Sequence, residues 1–386
     1  MLNKLVHSLT SLCTLIKTKP VLNQALLTQK TFMRPRITMN KNFVLFGVVF
    51  GVIICVLCVG VYTPSSPDRL TNPDALDFVT VIDATGVEVT VPHPVNRIVC
   101  LSSIETVYAL GAGDKIIAIT GMLTTDIKEI LPSHILELPI VGDTDSAPNI
   151  EKIVELNPDL ILASERLSDE NRQMFEVAGI AVIEDSSTGN RRNQYVTNLG
   201  LILNAEQRAT DILSYEAYYW NLVKTRVENL PRNEKPLVYF EWYTEWFSTG
   251  PDGSYTKLIE AAGGINVGEN ATVTNPQLNV ELIIEQNPDV VIRMLDYTSG
   301  ETLDAFQKLH NQILTRSGVN NLNAIKNNQV YVIKSVLLVD RDVVGLLYFA
   351  KWFHPELFAD IDPVALHAEM IEKYFNTTIS GVYAYH

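Results

Sequence analysis

The feature that most constrains this chain is an internal repeat of fourteen residues. Asn149–Leu162 (NIEKIVELNPDLIL) aligns without gaps on Asn279–Ile292 (NVELIIEQNPDVVI), with seven positions identical. Each copy has the pattern of a short amphipathic helix followed by a buried strand, and Asn-Pro-Asp ends the helix because the residue before proline avoids the helical region. A duplicated unit of this kind predicts two equivalent halves in one chain.

The sequence before each copy repeats one order of elements. Arg97–Leu101 predicts a strand whose following helix ends at Leu110–Gly113, and Leu237–Glu241 predicts a strand whose helix ends at Ala262–Gly264, with glycine as the left-handed cap. We therefore predict an α/β fold of two lobes, each with a mostly parallel sheet flanked by helices.

A long helix is predicted between the halves. Ala205–Leu230 contains neither Pro nor Gly and places apolar residues at helical spacing, which predicts a rod of about 39 Å that joins the lobes. An ordinary helix inside one lobe is the alternative. The predicted segments are 1–42, a basic cytoplasmic segment; 43–62, a transmembrane anchor or signal; 63–79, a tether; 80–190, the N-terminal lobe; 191–232, the connecting helix; and 233–386, the C-terminal lobe.

An apolar run near the N-terminus predicts a membrane helix. Phe43–Tyr62 is 20 residues long and uncharged, and the seven basic residues before it favour a cytoplasmic N-terminus. We predict a single-pass anchor in the cell membrane with residues 63–386 on the extracytoplasmic side; a cleaved signal is the alternative, and Met39 is a second candidate start. Two sequons, at Asn270 and Asn376, are glycosylation candidates on that side.

The charge and the reactive residues of the body exclude several function classes. Beyond residue 62 there are 23 basic and 44 acidic side chains, so nucleic-acid binding is not expected. Of the four cysteines only Cys100 lies there, which excludes an intrachain disulfide in the body. The seven histidines are scattered, and neither a G-x-S-x-G elbow nor a P-loop occurs, so we predict no enzyme activity, no metal site and no cofactor.

Several stretches, taken in order, resemble the substrate-binding proteins of ABC importers for iron-siderophore, heme and cobalamin, the class with a helical backbone between its lobes. The resemblance implies an interlobe cleft that captures a metal chelate and presents it to an ABC permease with its ATPase subunits, in a protein that is a monomer when not docked. The stretches are Asn96–Gly121, Val141–Ser164, Tyr255–Val267, the second repeat copy, Gln329–Lys334 and Arg341–Pro363.

The ligand is expected outside the carboxyl ends of the strands, where open α/β sheets place their sites. Aromatic side chains there suit flat or macrocyclic ligands, and two arginines in an acidic body predict forked hydrogen bonds to an anionic chelate, unless they pair with Asp296 or Asp342. The candidates are Ser102, Ser103, Met122, Asp145 and Arg166 in the first lobe, and Trp242, Tyr243, Trp246, Arg293, Tyr297 and Arg341 in the second.

The sequence leaves three candidate substrates and one alternative class of protein. An iron(III)-siderophore complex is the first choice. A corrinoid such as cobalamin is second, because cobalamin binders of the family place aromatic residues where this chain has Asp143 to Asp145, and heme is third. An adhesive or structural surface protein is the alternative from another class, and it would need no interlobe cleft.

Permease docking is the last expectation that the resemblance implies. The family carries one acidic residue on the outer tip of each lobe, and Glu105 and Glu260 are the matching candidates. A capping box over Ser102–Glu105 is an alternative role for Glu105, because a glutamate at the third helical position returns to the cap amide.

Overall fold

Two parallel sheets organise the chain in the computed structural model, which describes residues 77–164, 166–185, 190–295 and 302–386. A separate antiparallel hairpin precedes them. The strands are Asp77–Ile82 (β1), Glu88–His93 (β2), Ile98–Cys100 (β3), Ile116–Ile119 (β4), Leu160–Ser164 (β5), Ala181–Asp185 (β6), Leu237–Glu241 (β7), Ile265–Asn266 (β8), Val290–Leu295 (β9), Val330–Lys334 (β10) and Ala384–Tyr385 (β11).

Helices connect these strands and cover both sheets. The α-helices are Ile104–Ala109 (α1), Thr125–Ile130 (α2), Ser133–Leu136 (α3), Ile150–Leu156 (α4), Asp169–Val177 (α5), Asn190–Leu203 (α6), Glu206–Val227 (α7), Ser254–Ala261 (α8), Val280–Gln286 (α9), Leu303–Leu314 (α10), Asn323–Lys326 (α11), Asp342–Phe353 (α12) and Pro363–Phe375 (α13).

The two sheets share one topology. The first has the order β4-β3-β5-β6 with all strands parallel. The second has the order β10-β9-β7-β8, also parallel, and β11 adds an antiparallel edge to β10. In both, the first strand of the sheet lies between the second and the third. The prediction of two α/β lobes with mostly parallel sheets is therefore confirmed.

The internal repeat gives the same local structure twice. The side chains of Asn149 and Asn279 each accept a backbone N–H in the first turn of α4 and α9. Both helices end at an asparagine in the left-handed region, Asn157 with φ 46° and Asn287 with φ 51°. Asparagine tolerates this conformation better than most residues, so the helix ends where Asn-Pro-Asp predicts.

The aspartate of each repeat copy holds the strand beside it. One carboxylate oxygen of Asp159 accepts the backbone N–H groups of Asn96 and Arg97 at 2.8 and 2.9 Å. An oxygen of Asp289 accepts the N–H of Leu237 at 3.0 Å, at the start of β7. The same hydrogen bond occurs at the same place in both lobes, which explains why both copies of the repeat have aspartate at this position.

The predicted long helix forms as α7, Glu206–Val227, about 33 Å long at 1.5 Å per residue. Near its start, Arg208 donates to the carbonyl of Ala109 in the N-terminal lobe. Near its end, Arg226 donates to the carboxylate of Asp360 at 2.7 and 2.8 Å in the C-terminal lobe. The helix is therefore bound to both lobes, and α6 lies directly before it in the chain.

The largest buried cluster is common to both lobes. One face of the first sheet, with Val99 and Ile161, packs on α4 and α5. The other face, with Leu160, joins Phe240 and Ile292 of the second sheet and residues of α6, α7, α12 and α13. Separating the lobes completely would expose this shared apolar surface, so the packing favours small relative movements.

The predicted membrane segment, 43–62, lies outside the described residues, as do the basic segment before it and most of the tether. Among the helices of the described part of the chain, none has both the length and the apolar character needed to cross a bilayer.

Candidate ligand-binding cleft

The carboxyl ends of the two sheets face each other. Arg341, which follows β10, donates to Glu105, which follows β3. Lys334, at the end of β10, donates to Asp126, which follows β4. These contacts bring together the loops in which the ligand site is predicted, and they identify the space between the lobes as the candidate cleft.

Ser103 begins the first helix of the N-terminal lobe in an unusual conformation. Its φ is 58°, in the left-handed region, and its hydroxyl donates to the carboxylate of Asp185. The hydroxyl of Ser102 lies 3.4 Å from that of Ser103. The helix has no side-chain cap hydrogen bond, so the alternative of a capping box is wrong. The carboxylate of Glu105 instead turns towards Arg341.

Asp145 and Arg166 form one contact at the edge of the N-terminal lobe. The guanidinium donates to Asp145 through Nη2 at 2.7 Å and Nε at 3.0 Å, and Ser164 donates to the same carboxylate at 2.5 Å. Asp145 is buried, whereas the side chain of Arg166 remains 64% exposed. Met122, in the loop after β4, is also exposed. Among the residues predicted for this lobe, Arg166 and Met122 are therefore the exposed ones, whereas Ser102 and Ser103 are partly exposed.

Residues 242–247, here called the aromatic loop, follow β7. Trp242 stacks on Phe247 with the ring centroids 5.2 Å apart, and it packs against the core shared by the lobes. Trp246 has φ 67° and turns the other way, where it lies over Tyr239 and Arg316. Trp246 therefore packs in the second core of its own lobe, and Trp242 is placed on the interlobe side.

Glu241 holds the base of the aromatic loop. It is fully buried and accepts hydrogen bonds from Arg293 at 2.7 Å, Arg316 at 2.6 Å, the Tyr239 hydroxyl at 2.7 Å and the Trp246 backbone N–H at 3.0 Å. Burial by itself would raise the pKa of this carboxyl, but Arg316, Arg293 and the N–H group together hold it below its usual value.

Arg293 is a structural partner of the aromatic loop. Besides Glu241, it donates to the carbonyl of Tyr243. Its guanidinium is buried, so the forked hydrogen bonds expected for an anionic chelate are made inside the protein. The remaining predicted aromatic residue, Tyr297, lies outside the described residues.

A small charged cavity lies between the lobes beside Arg341. Its volume is about 90 Å³, and its lining includes Ser103, Glu105, Asp185, Asp340 and Arg341. The cavity is well below the several hundred Å³ of a typical ligand pocket. The cavity by itself is therefore too small to enclose a molecule the size of a metal chelate.

The two predicted docking residues occupy different surroundings. Glu105 is paired with Arg341 and its side chain is 12% exposed. Glu260 is exposed in the last turn of α8, beside Arg232 and Lys235. Glu105 lies in the first turn of α1, directly after the first strand of its sheet, whereas Glu260 lies at the far end of α8. The two positions are therefore not equivalent in the two lobes.

Sequence reasoning missed a pair of acidic residues that are equivalent. Glu151 and Glu281 are the third residues of the two repeat copies, and both lie exposed in the first turn of their helices. The signal was present in the repeat itself, where this glutamate is one of the identical positions. The sequon residues Asn270 and Asn376 are also exposed.

Comparison with known proteins identifies the fold. The family model described as periplasmic binding protein matches residues 98–337, more than half of the chain. The chain belongs to this family. The crystal structure of the TroA-like periplasmic binding protein FepB from Veillonella parvula is 26% identical, with a TM-score of 0.70, over 80% of this chain and 99% of that one.

Two relatives add a functional context to this periplasmic binding protein. YvrC of Bacillus subtilis, an uncharacterized ABC transporter substrate-binding lipoprotein, is 25% identical over 73% of this chain and 87% of its own length. A cobalamin-binding protein of Halobacterium salinarum is 26% identical over 74% of this chain and 75% of its own.

These findings confirm the resemblance drawn from the sequence. The chain is the substrate-binding component of an ABC transporter, which delivers a small molecule to a permease, and it is not an enzyme.

Proposed function

We propose that this protein binds an iron(III)-siderophore complex between its lobes on the extracytoplasmic side of the membrane. In this proposal, Trp242 and Tyr243 of the partly exposed aromatic loop contact the chelate from the C-terminal lobe, and Met122 and Arg166, exposed after β4 and β5, contact it from the N-terminal lobe. Partly exposed aromatic and thioether side chains suit a large chelate with an apolar periphery.

The charges of the cleft favour a chelate of low or positive net charge. Arg293 and Arg341 are paired with Glu241 and Glu105 in the interior, so neither guanidinium is available to a carboxylate of the ligand, and the charge of the exposed Arg166 is balanced by Asp145 at 2.7 Å. This pairing is the observation that carries the choice. A ferric hydroxamate, which is neutral or cationic, fits it better than a strongly anionic ferric catecholate or the propionates of heme. Cobalamin is the second candidate, supported by the halobacterial relative.

Quenching of tryptophan fluorescence tests the proposal. The full-length protein in detergent is titrated with a ferric hydroxamate, a ferric catecholate, cobalamin and hemin, each beside its metal-free form where one exists. We expect saturable quenching by the ferric hydroxamate. Trp242→Phe should remove most of the signal, and the matched variant Trp246→Phe should retain it. Binding of the catecholate alone would contradict the charge reasoning, and binding of cobalamin alone would establish the second candidate.

For docking, we propose that the permease contacts Glu151 and Glu281 instead of the pair Glu105 and Glu260. A partner that contacts one acidic residue in each lobe would meet equivalent, exposed positions, and the repeat supplies them. Matched charges at such a surface mainly orient and speed the encounter.

Charge-reversal variants test whether the permease contacts Glu151 and Glu281 or the pair Glu105 and Glu260. Glu151→Lys with Glu281→Lys should abolish uptake in cells while ligand binding by the purified protein is unchanged. The control is Glu170→Lys, which reverses the charge of another exposed acidic residue of the N-terminal lobe and should leave uptake normal. Normal uptake by the first double variant would show that the permease contacts other residues, with Glu260 the next to test.

For localisation, we propose that residues 43–62 anchor the protein in the cell membrane and leave the lobes outside. Carbonate extraction of membranes should leave the full-length chain in the pellet, and added protease should degrade the lobes in intact spheroplasts. Release of the chain by carbonate would indicate the cleaved signal instead.

A further inference from the structure

The aromatic loop contains two features that are unfavourable by themselves. Trp246 has φ 67°, in the left-handed region, which a bulky side chain rarely adopts. The indole N–H group of Trp242 is buried and has no acceptor among the described residues, although a buried donor normally has a partner. Strained backbone persists only where the surrounding structure imposes it, and it concentrates at ligand and active sites. The conformation of the loop therefore depends on contacts from outside the loop.

Arg316, two residues after the end of α10, reaches the loop from outside the sheet. Its Nη1 and Nη2 donate to the two carboxylate oxygens of Glu241 at 2.6 and 2.9 Å, and its guanidinium lies 4.5 Å from the ring centroid of Trp246. The Glu241 oxygen that accepts from Nη1 also accepts the backbone N–H of Trp246 at 3.0 Å. Only 10% of the Arg316 side chain is exposed. A planar guanidinium can form the fork and the stack together, whereas an ammonium group cannot form the fork.

Backbone hydrogen bonds hold the rest of the loop. The N–H of Trp242 donates to the carbonyl of Phe247 at 2.7 Å, which closes the loop, and the N–H of Leu278 donates to the carbonyl of Trp246 at 2.8 Å, which joins the loop to the neighbouring segment. Neither bond involves the indole ring of Trp246. Arg316 holds that ring from one side, and the same guanidinium holds the carboxylate that binds the Trp246 backbone.

We propose that Arg316 is a positioning residue for ligand binding, because it holds Trp246 inward and so keeps Trp242 and Tyr243 on the interlobe side of the loop. This inference rests on the proposed function, in which those two aromatic residues contact the chelate. Without Arg316, the left-handed Trp246 loses its stack, and the loop has its present conformation only part of the time. The apparent dissociation constant then rises in inverse proportion to that fraction of time.

Three arginine variants test the positioning role. Arg316→Met removes the stack and the fork but leaves Glu241 paired with Arg293 at 2.7 Å, so no buried charge loses its last partner. Arg316→Lys is the conservative variant, which keeps the charge without the planar fork and should restore the wild-type behaviour in part. The matched control is Arg232→Met, at a side chain that is 71% exposed.

The loop can be observed without any ligand through the indole N–H signals of the four tryptophans. Nuclear magnetic resonance spectra are recorded on the full-length protein in detergent, labelled with ¹⁵N-tryptophan, and Trp242→Phe and Trp246→Phe assign the two loop signals. In Arg316→Met we expect both loop signals to shift or split, while the signals of Trp220 and Trp352 stay in place. A merely structural role would lower the urea midpoint but leave all four signals of the folded protein unchanged.

Tryptophan quenching then measures the dissociation constants for ferrioxamine B, a ferric hydroxamate, and for cobalamin. For the chelate that the wild type binds, Arg316→Met should weaken binding about tenfold, Arg316→Lys less, and Arg232→Met not at all. Unmoved loop signals, or wild-type affinity in Arg316→Met, would overturn the positioning role. If the wild type binds neither chelate, the proposed function fails instead, and shifted or unmoved indole signals still decide whether Arg316 holds the loop.

Discussion

Replacing Glu241 by glutamine, which has nearly the same shape, should strongly lower the unfolding free energy of this protein. Glu241 is fully buried and forms ion pairs with two guanidinium groups, those of Arg293 and Arg316. Glu241→Gln keeps the volume but removes the charge, which leaves Arg293 in the interior without a counterion and Arg316 with only the exposed Glu245 at 3.7 Å. Removing one member of a buried pair costs about 3 to 5 kcal/mol, so we expect a loss of unfolding free energy of about that size. Total stabilities are about 5 to 15 kcal/mol, so this loss is a large share.

Urea unfolding at pH 7, followed by circular dichroism, measures this loss directly. The matched control is Glu245→Gln, because Glu245 is 61% exposed and lies 3.7 Å from Arg316. An exposed pair contributes about 0 to 1 kcal/mol, so the control should unfold close to the wild type. Adding Arg316→Met to Glu241→Gln should restore part of the stability, because one unpaired charge is removed. A Glu241→Gln variant within about 1 kcal/mol of the wild type would refute the assigned role.

The pH dependence of the same variant has a definite sign. The pKa of Glu241 is lowered in the folded protein, so its stabilisation is present above the unfolded value near 4.3 and is lost as the pH falls through the folded value. The difference between wild type and Glu241→Gln should therefore be largest near neutral pH and shrink in acid. A difference that grows in acid would contradict the folded-state pairing.

Two further changes test the packing of the fold. Gly345→Ala should lower the unfolding free energy by about 1 to 3 kcal/mol, because the added methyl group would lie 2.1 Å from the carbonyl oxygen of Leu337; an unchanged urea midpoint would contradict this close approach. Arg172→Met should cost about 3 to 5 kcal/mol, since Asp83 and Glu184 would lose the buried cation they share at 2.9 and 2.6 Å; adding Asp83→Asn should recover part of that loss.

Much of the fold followed from short stretches of sequence. The repeat predicted α4 with β5 and α9 with β9, and the glycines predicted the ends of α1 and α8, where Gly111 and Gly263 have positive φ. The long connecting helix was also predicted, within three residues at each end. Caps, strand patterns and helix periodicity depend on residues a few positions apart, so the sequence shows them without knowledge of the rest of the chain.

The candidate site was only partly predictable from the sequence. The least accurate part was the prediction of which charged side chains are available to a ligand. Met122 and Arg166 are exposed after strands whose carboxyl ends were predicted to carry the ligand, whereas Trp242 is partly buried after β7, and their contact with a ligand stays a prediction. Arg293 and Arg341 looked equally available in the sequence, but both are paired in the interior. Their partners were not foreseen, because no local pattern marks an ion pair between distant residues.

The sequence by itself determined two α/β lobes of one topology, the helix that joins them and the family to which they belong, because these depend on local patterns and their order. Only the tertiary structure decided which charges are available to a ligand. Arg341 pairs with Glu105, 236 positions earlier, and Arg293 with Glu241, 52 positions earlier. Burial makes such pairing obligatory, and which partner is within reach depends on how the sheets bring distant strand ends together.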